Sequence, residues 1–293
     1  MHRPHARILM CRPDHFAVDY TINPWMDPNG WARDRHVLSA TAHREWGRLH
    51  RTLVRAGAEV DLVSPAAGLP DLVFTANAAV VLDRKALVAR FRHPERQPEE
   101  PLYEAAFRML QRRGVIDTVT TMHGVKLEGA GDCVWDDTRQ MFWMGYGPRS
   151  DKAARDVVAA EFDVETVALE LVDPRFYHMD TALSVLPGGE VMYVPCAFTD
   201  DGIREIHARV PSDKRIALAM DDATTLAANA VCLGDTIVMS DCSEGLRATL
   251  RERGYNVIAT PLPSFLRSGG SAFCLTLRLD RRSAGASVTR RAA

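Results

Sequence analysis

Asp180-Thr-Ala-Leu-Ser-Val-Leu-Pro-Gly-Gly-Glu-Val-Met-Tyr-Val194 is the stretch on which the fold turns. A polar residue leads an apolar run, Pro187-Gly-Gly marks a turn, and a second apolar run follows, as in a two-stranded hairpin. The same pattern occurs at 77–91, with its turn at 83–85, at 132–144, with its turn at 136–139, and at 229–239, with its turn at 234–235. A fifth copy opens at Cys274, and its second strand is missing from the residues that follow. Residues 8–11 (Ile-Leu-Met-Cys) can supply that strand and close a ring.

The leading residues Asn77, Asp132, Asp180, Asn229 and Cys274 are spaced at about 45 to 55 positions, a period found in radial arrays. Helical apolar spacing runs through 40–56, 100–113, 150–162 and 243–253. Gly57, Gly114 and Gly254 stand where helix C-caps belong, and strand candidates follow at 58–63 and 255–259. The reading is an α/β fold in which one strand, hairpin and helix unit repeats five times about an axis. Residues 1–280 form a single domain and 281–293, rich in Arg, Ala and Ser, form a flexible tail. In such an array equivalent positions face the same centre, so the five leading residues converge.

Composition narrows the function. The chain has 293 residues, 36 Lys+Arg against 38 Asp+Glu, and a pI near 6.6, with no basic excess for a nucleic-acid partner. No stretch approaches the ~20 apolar residues of a membrane span. Met1-His-Arg-Pro-His-Ala-Arg leads into no apolar signal region, so a cytoplasmic protein is expected. The six cysteines (11, 133, 196, 232, 242 and 274) include no Cys-x-x-Cys pair or zinc-finger spacing, so neither a disulfide framework nor a metal site is expected. Five read as packing thiols. Cys274 differs: it follows Gly269-Gly270 at a loop mouth and falls in the leading register.

A thiol nucleophile needs a proton carrier, usually His. His2, His5, His36, His43, His50, His93 and His207 lie in charged or helical contexts and His123 is ambiguous, whereas His178 stands two residues before a leading residue. Carboxylates cluster in Glu128-Gly-Ala-Gly-Asp132 and in Gly68-Leu-Pro-Asp71. Several of them converging with one Cys and one His suit a cationic substrate, and a planar guanidinium best of all.

Gly68-Leu-Pro-Asp-Leu-Val-Phe-Thr-Ala-Asn77, Leu127-Glu-Gly-Ala-Gly-Asp132, Tyr177-His-Met-Asp-Thr181 and Ser268-Gly-Gly-Ser-Ala-Phe-Cys-Leu275 together resemble the guanidine-modifying, or pentein, superfamily. That group comprises dimethylargininases, arginine deiminases, arginine dihydrolases and amidinotransferases. The resemblance covers roughly residues 8 to 279 and implies a five-bladed ββαβ propeller with pseudo-fivefold symmetry. It implies Cys274 as nucleophile, His178 as general acid/base and Glu128 as the carboxylate that holds the guanidinium. Asn77, Asp71, Asp132 and Asp180 would bind substrate. Arg90 (or Arg92) and Arg149 would hold its carboxylate, and Asn23 lies in a covering segment, Ile22-Asn-Pro-Trp-Met26. Asn77 departs from the Asp of dimethylargininases and deiminases and matches arginine dihydrolases. The glycine turn before Asp132 is one residue longer than in dimethylargininases.

The expected reaction is hydrolysis of a guanidino C–N bond in arginine or an Nω-methylated arginine through a covalent thiouronium. The product is citrulline, or ornithine, carbon dioxide and ammonia after a second round. The alternatives are amidino transfer to an amine and a non-catalytic binding protein. No cofactor is expected; the partners are a small guanidino molecule and, from the resemblance, further copies of the chain.

Overall fold

The computed structural model describes residues 6–289. Within them five three-stranded sheets follow one plan. Two strands form an antiparallel hairpin, and a third lies parallel to the hairpin's second strand. A parallel neighbour cannot be reached by a tight turn, so each unit carries a crossover helix.

The first unit is Ala79–Leu82, Lys85–Val88, helix Glu100–Arg112 and Thr118–Thr121. The second is Cys133–Asp136, Met141–Tyr146, helix Ala154–Phe162 and Glu165–Glu170. The third is Leu183–Val185, Val191–Tyr193, helix Asp200–Arg209 and Arg215–Ala217. The fourth is Val231–Leu233, Thr236–Met239, helix Glu244–Glu252 and Asn256–Ala259. The fifth draws on both ends of the chain. Leu277–Arg278 pairs antiparallel with Arg7–Cys11, and helix Arg35–Arg55 leads to Glu59–Val63, parallel to Arg7–Cys11.

The hairpin strands are buried on both faces, which is why they read as unbroken apolar runs rather than as alternation. Gly57, Gly114 and Gly254 follow their helices with φ of +95°, +70° and +89°, the left-handed geometry that ends a helix most easily at glycine. Helix Asp200–Arg209 escapes the periodicity argument because Ile203 and Ile206 are its only large apolar residues. Its signal is the cap, where the Thr199 hydroxyl accepts the Gly202 amide at 3.2 Å before two acidic residues.

None of the five leading residues begins a strand, as the pattern suggested: Asn229 precedes Val231–Leu233 by two positions and Cys274 precedes Leu277–Arg278 by three, and the others sit in or beside short helical turns. Asn77 lies in the helical turn Thr75–Ala78, Asp132 directly follows the turn Gly129–Gly131, and Asp180 lies in Met179–Ala182. Each turn precedes an inner strand and aims its polar side chain across the strand ends. Two of them meet backbone to backbone at Gly129, where φ is +64° and a Cβ would lie 2.7 Å from the Ala76 carbonyl oxygen.

The segment after residue 280, expected to be a tail, docks on the first hairpin. The Asp83 amide donates to the Arg281 carbonyl (3.0 Å), and the Ser283 amide and hydroxyl each donate to the Asp83 carboxylate at 2.7 Å. A short helix, Ala284–Thr289, follows, and residues 290–293 lie outside the described residues. No helix among the described residues is long and apolar enough to cross a membrane.

Because the obstruction at Gly129 is backbone and its φ is positive, neither side can relax cheaply. Gly129→Ala should destabilise the protein by about 3 kcal/mol. Thermal denaturation checks this; an unchanged midpoint would mean that the two turns are not in contact.

Candidate active site

The Gly pair before Cys274 is required by close approach. A Cβ on Gly269 would lie 2.8 Å from both Trp25 Cδ1 and the Tyr177 hydroxyl, and one on Gly270 would lie 2.3 Å from Phe74 Cε1. The tight loop delivers Cys274 into the interior, 2% exposed. Its thiol lies 3.2 Å from Asp180 Oδ2, to which it donates, and it receives Asn229 Nδ2 at 3.1 Å. Asn229 grips the same residue a second time, its Oδ1 accepting the Cys274 amide at 3.0 Å. Burial, and then Asp180, push the thiol well above its ordinary pKa. Asp180 is pushed up to about 7 by burial, against hydrogen bonds to Cys274 and Asn229. Its Oδ1 is buried without a partner among the described residues.

Beside the thiol stands a buried ionic group. His178 Nε2 lies 2.7 Å from Glu128 Oε2, and Arg149 Nη1 donates to the same oxygen at 3.0 Å. Glu128 Oε1 accepts the Arg92 amide at 3.2 Å. Burial opposes charge on Glu128, but Arg149 and the hydrogen bond from His178 outweigh it and hold the carboxyl well below the usual range. For His178 burial prevails: despite Glu128 its pKa falls to about 4, helped by Arg149 and Arg96, so the imidazole is neutral at pH 7. The Arg149 guanidinium also lies 4.4 Å above the Tyr177 ring and donates to the Ile22 carbonyl at 3.1 Å.

Asn77 Nδ2 donates to the Glu128 carbonyl (3.1 Å), and its Oδ1 accepts Arg96 Nη1 at 2.9 Å. Asp71 accepts the Tyr20 hydroxyl at 2.8 Å and the Ser268 hydroxyl at 3.3 Å; burial raises its pKa. Cys274, His178, Asn77, Asp71, Arg96 and Arg149 line one small cavity, with Ile22 and Asn23 over it. The Asn23 side chain donates to the Ser268 carbonyl at 3.0 Å. The cavity is only about 10 Å³, room for one water. Arg149 occupies the Glu128 carboxylate beside this cavity.

Not every expected residue reaches this cavity. Arg90 does not line it: its backbone bridges Leu127. Arg92 uses its side chain on the Arg149 carbonyl and on Asp151. Asp132 accepts the Ser150 hydroxyl and the Met179 amide (3.1 Å), tying the histidine's turn to the second unit. Asp180 touches the sulfur, and Glu128 touches His178, from outside the cavity lining. Two residues were missed as site residues. Arg96 sits in a polar, proline-flanked loop outside the repeat register, paired through two bonds with the buried Glu99 (3.0 and 2.8 Å). Asn229 was in register, and that register was the signal for it. Among the described residues no His, Cys, Asp and Glu side chains form a metal-binding group.

Comparison with known proteins agrees with this geometry. Residues 12–281 match the family model described as N,N dimethylarginine dimethylhydrolase, eukaryotic. The chain is 45% identical over 275 residues to the bifunctional arginine dihydrolase/ornithine cyclodeaminase ArgZ of Synechocystis sp., covering 93% of this chain and 37% of that protein. It therefore spans little more than a third of that relative's length. It is 39% identical over 273 residues to the N(G),N(G)-dimethylarginine dimethylaminohydrolase of Mycobacterium tuberculosis, covering 93% and 85% of the two chains. A crystal structure of the N-terminal domain of an ArgZ variant, covalently bonded to a reaction intermediate, superposes with a TM-score of 0.87 at 41% identity, covering 94% of this chain and 98% of that one. The chain belongs to the dimethylarginine dimethylaminohydrolase family, a family of amidine hydrolases.

Proposed function

We propose that this chain hydrolyses the guanidino group of arginine through a thiouronium on Cys274, using five ββαβ units as the blades of a pseudo-fivefold propeller. The observation that carries the reading is the meeting of the Cys274 thiol, His178 and the carboxamide of Asn77 around one buried cavity, with Glu128 bonded to His178 behind its wall.

For a substrate to enter, Arg149 has to leave Glu128, and the segment carrying Ile22 and Asn23 has to lift. The freed Glu128 carboxylate then takes the substrate's guanidinium, and Arg149 becomes available for its carboxylate. The thiol proton passes to Asp180, its hydrogen-bond acceptor, and Sγ adds to the guanidinium carbon. His178 takes up the thiol proton released through Asp180 and gives it to the departing nitrogen, and the C–N bond breaks with loss of ammonia. Neutral again, His178 takes a proton from water; the hydroxide attacks the thiouronium carbon, the C–S bond breaks and citrulline forms. A second passage, from the ureido carbon, consumes another water and releases carbon dioxide and ammonia, leaving ornithine. Asn77 supports this second passage. A neutral amide that can donate as well as accept holds a neutral ureido group with less electrostatic cost than a carboxylate does.

Cys274→Ser should abolish turnover, by at least about a thousandfold, with no loss of the thermal midpoint. Incubating the native protein with arginine and, separately, with dimethylarginine, followed by mass spectrometry, should give ornithine and ammonia from the first. Methylamines from the second at a higher rate would overturn the choice of arginine.

Asp180 offers a stability test. Its folded-state pKa of about 7 lies above the ordinary 3.8, so the folded protein binds that proton more tightly than the unfolded chain. The resulting stability is complete below about pH 3.8 and is lost as pH rises through about 7. The midpoint of Asp180→Asn should therefore gain on that of the native protein between pH 4 and about 7. A constant difference across that range would show that Asp180 ionises normally.

A further inference from the structure

We propose that the axis of the ring contains a second binding site, for a small organic monocarboxylate held by Arg281, at the end away from Cys274. A cavity of about 50 Å³ begins behind the nucleophile at Asp180 and runs along the inner strands past Ser184 and Thr276 to Arg281. There it meets a wider hollow of about 130 Å³. Trp135, Val185, Cys232, Arg278 and Arg281 form walls of both. Pro187 and Gly234, which line the wider part, are hairpin-turn residues. The hollow therefore opens at the turn end of the inner strands, opposite the leading residues.

Arg281 is the unusual group. Among the described residues its guanidinium has no hydrogen bond or ion pair within ordinary distance. The neighbouring Arg278 is saturated: Nε and Nη2 donate to Asp280 at 2.7 and 2.6 Å, and Nη1 donates to the Cys232 carbonyl at 3.0 Å. The nearby carboxylates are also engaged, Asp280 by Arg278 and the Arg7 amide, and Asp137 by Trp135 Nε1 at 3.3 Å. Burial and the Arg278 charge push Arg281 down to about 10, which leaves it a cation at neutral pH.

A guanidinium with its donors unused beside a hollow asks for an acceptor, and a carboxylate matches the planar fork with two parallel bonds. The remaining wall chooses the tail. Val185, Leu186, Pro187 and Trp135 are apolar, and 130 Å³ is close to the roughly 150 Å³ that accommodates one benzene ring. Asp137, on the same wall, disfavours dianions and polyphosphates. The ligand class is thus a singly charged carboxylate with a compact apolar body.

Benzoate is the probe. Isothermal titration of the full-length protein should give saturable binding, weakened about tenfold or more by Arg281→Met, which keeps the apolar stem and removes the charge. Benzamide, of the same shape without the charge, should bind the native protein as weakly as benzoate binds the variant. Val185→Phe fills the hollow with Arg281 intact and should also abolish binding, which serves as the test if Arg281→Met fails to fold. Arginine turnover by Arg281→Met should match the native rate. Equal benzoate affinity in the native and Arg281→Met proteins would place the carboxylate elsewhere, with Arg149 the obvious alternative. That result, or the lack of saturable binding by the native protein, would overturn the site.

Discussion

One buried oxygen organises the active site. Glu128 Oε2 is shared by His178 and Arg149, and all three side chains are at most 2% exposed. A carboxylate so far from water is costly unless its partners are well placed, and removing one would leave an uncompensated charge. The partners come from different units, so the units must be held in register for the pair to exist. Asp132 contributes to that register, fastening both the Ser150 hydroxyl and the Met179 amide from its place beside the glycine turn. Burial, acting against Glu128, keeps His178 neutral at rest.

The buried Glu128 carboxylate needs a counter-ion, and the Arg149 guanidinium meets that need while stacking on Tyr177. Arg96 does the equivalent beside Asn77, supported by Glu99. On the proposed reaction, a substrate guanidinium would replace one already present, which would favour ligands that reproduce both its charge and its planarity.

What could be read from the sequence was what repeats. Doubly buried hairpin strands leave apolar runs, turns leave Gly, Pro and Asp, and the period between them places the leading residues together; Cys274, Asp180 and Asn77 were found that way, and the same register held the unused signal for Asn229. The strand expected from residues 8–11 is where ring closure demanded it. Arg96 and Glu99 were not readable, because they act through a loop that bends back, and nothing local distinguishes them from a solvated ion pair three residues apart. Arg90, expected from the resemblance, does not line the cavity; its backbone bridges Leu127 instead. The exact starts of the inner strands were also missed, since one-turn helices of three or four residues leave too short a pattern to recognise.

Two residues separate Cys274 from Leu277, the start of the strand that pairs with Arg7–Cys11 and completes the fifth sheet. These contacts span almost the full length of the chain, the kind that forms late and slowly. During synthesis four units can assemble while the sulfur has yet to leave the ribosome. Closure of the architecture and arrival of the nucleophile are then a single event, so a nascent or truncated chain has no reactive thiol at its axis to be oxidised or misdirected before its pocket is complete.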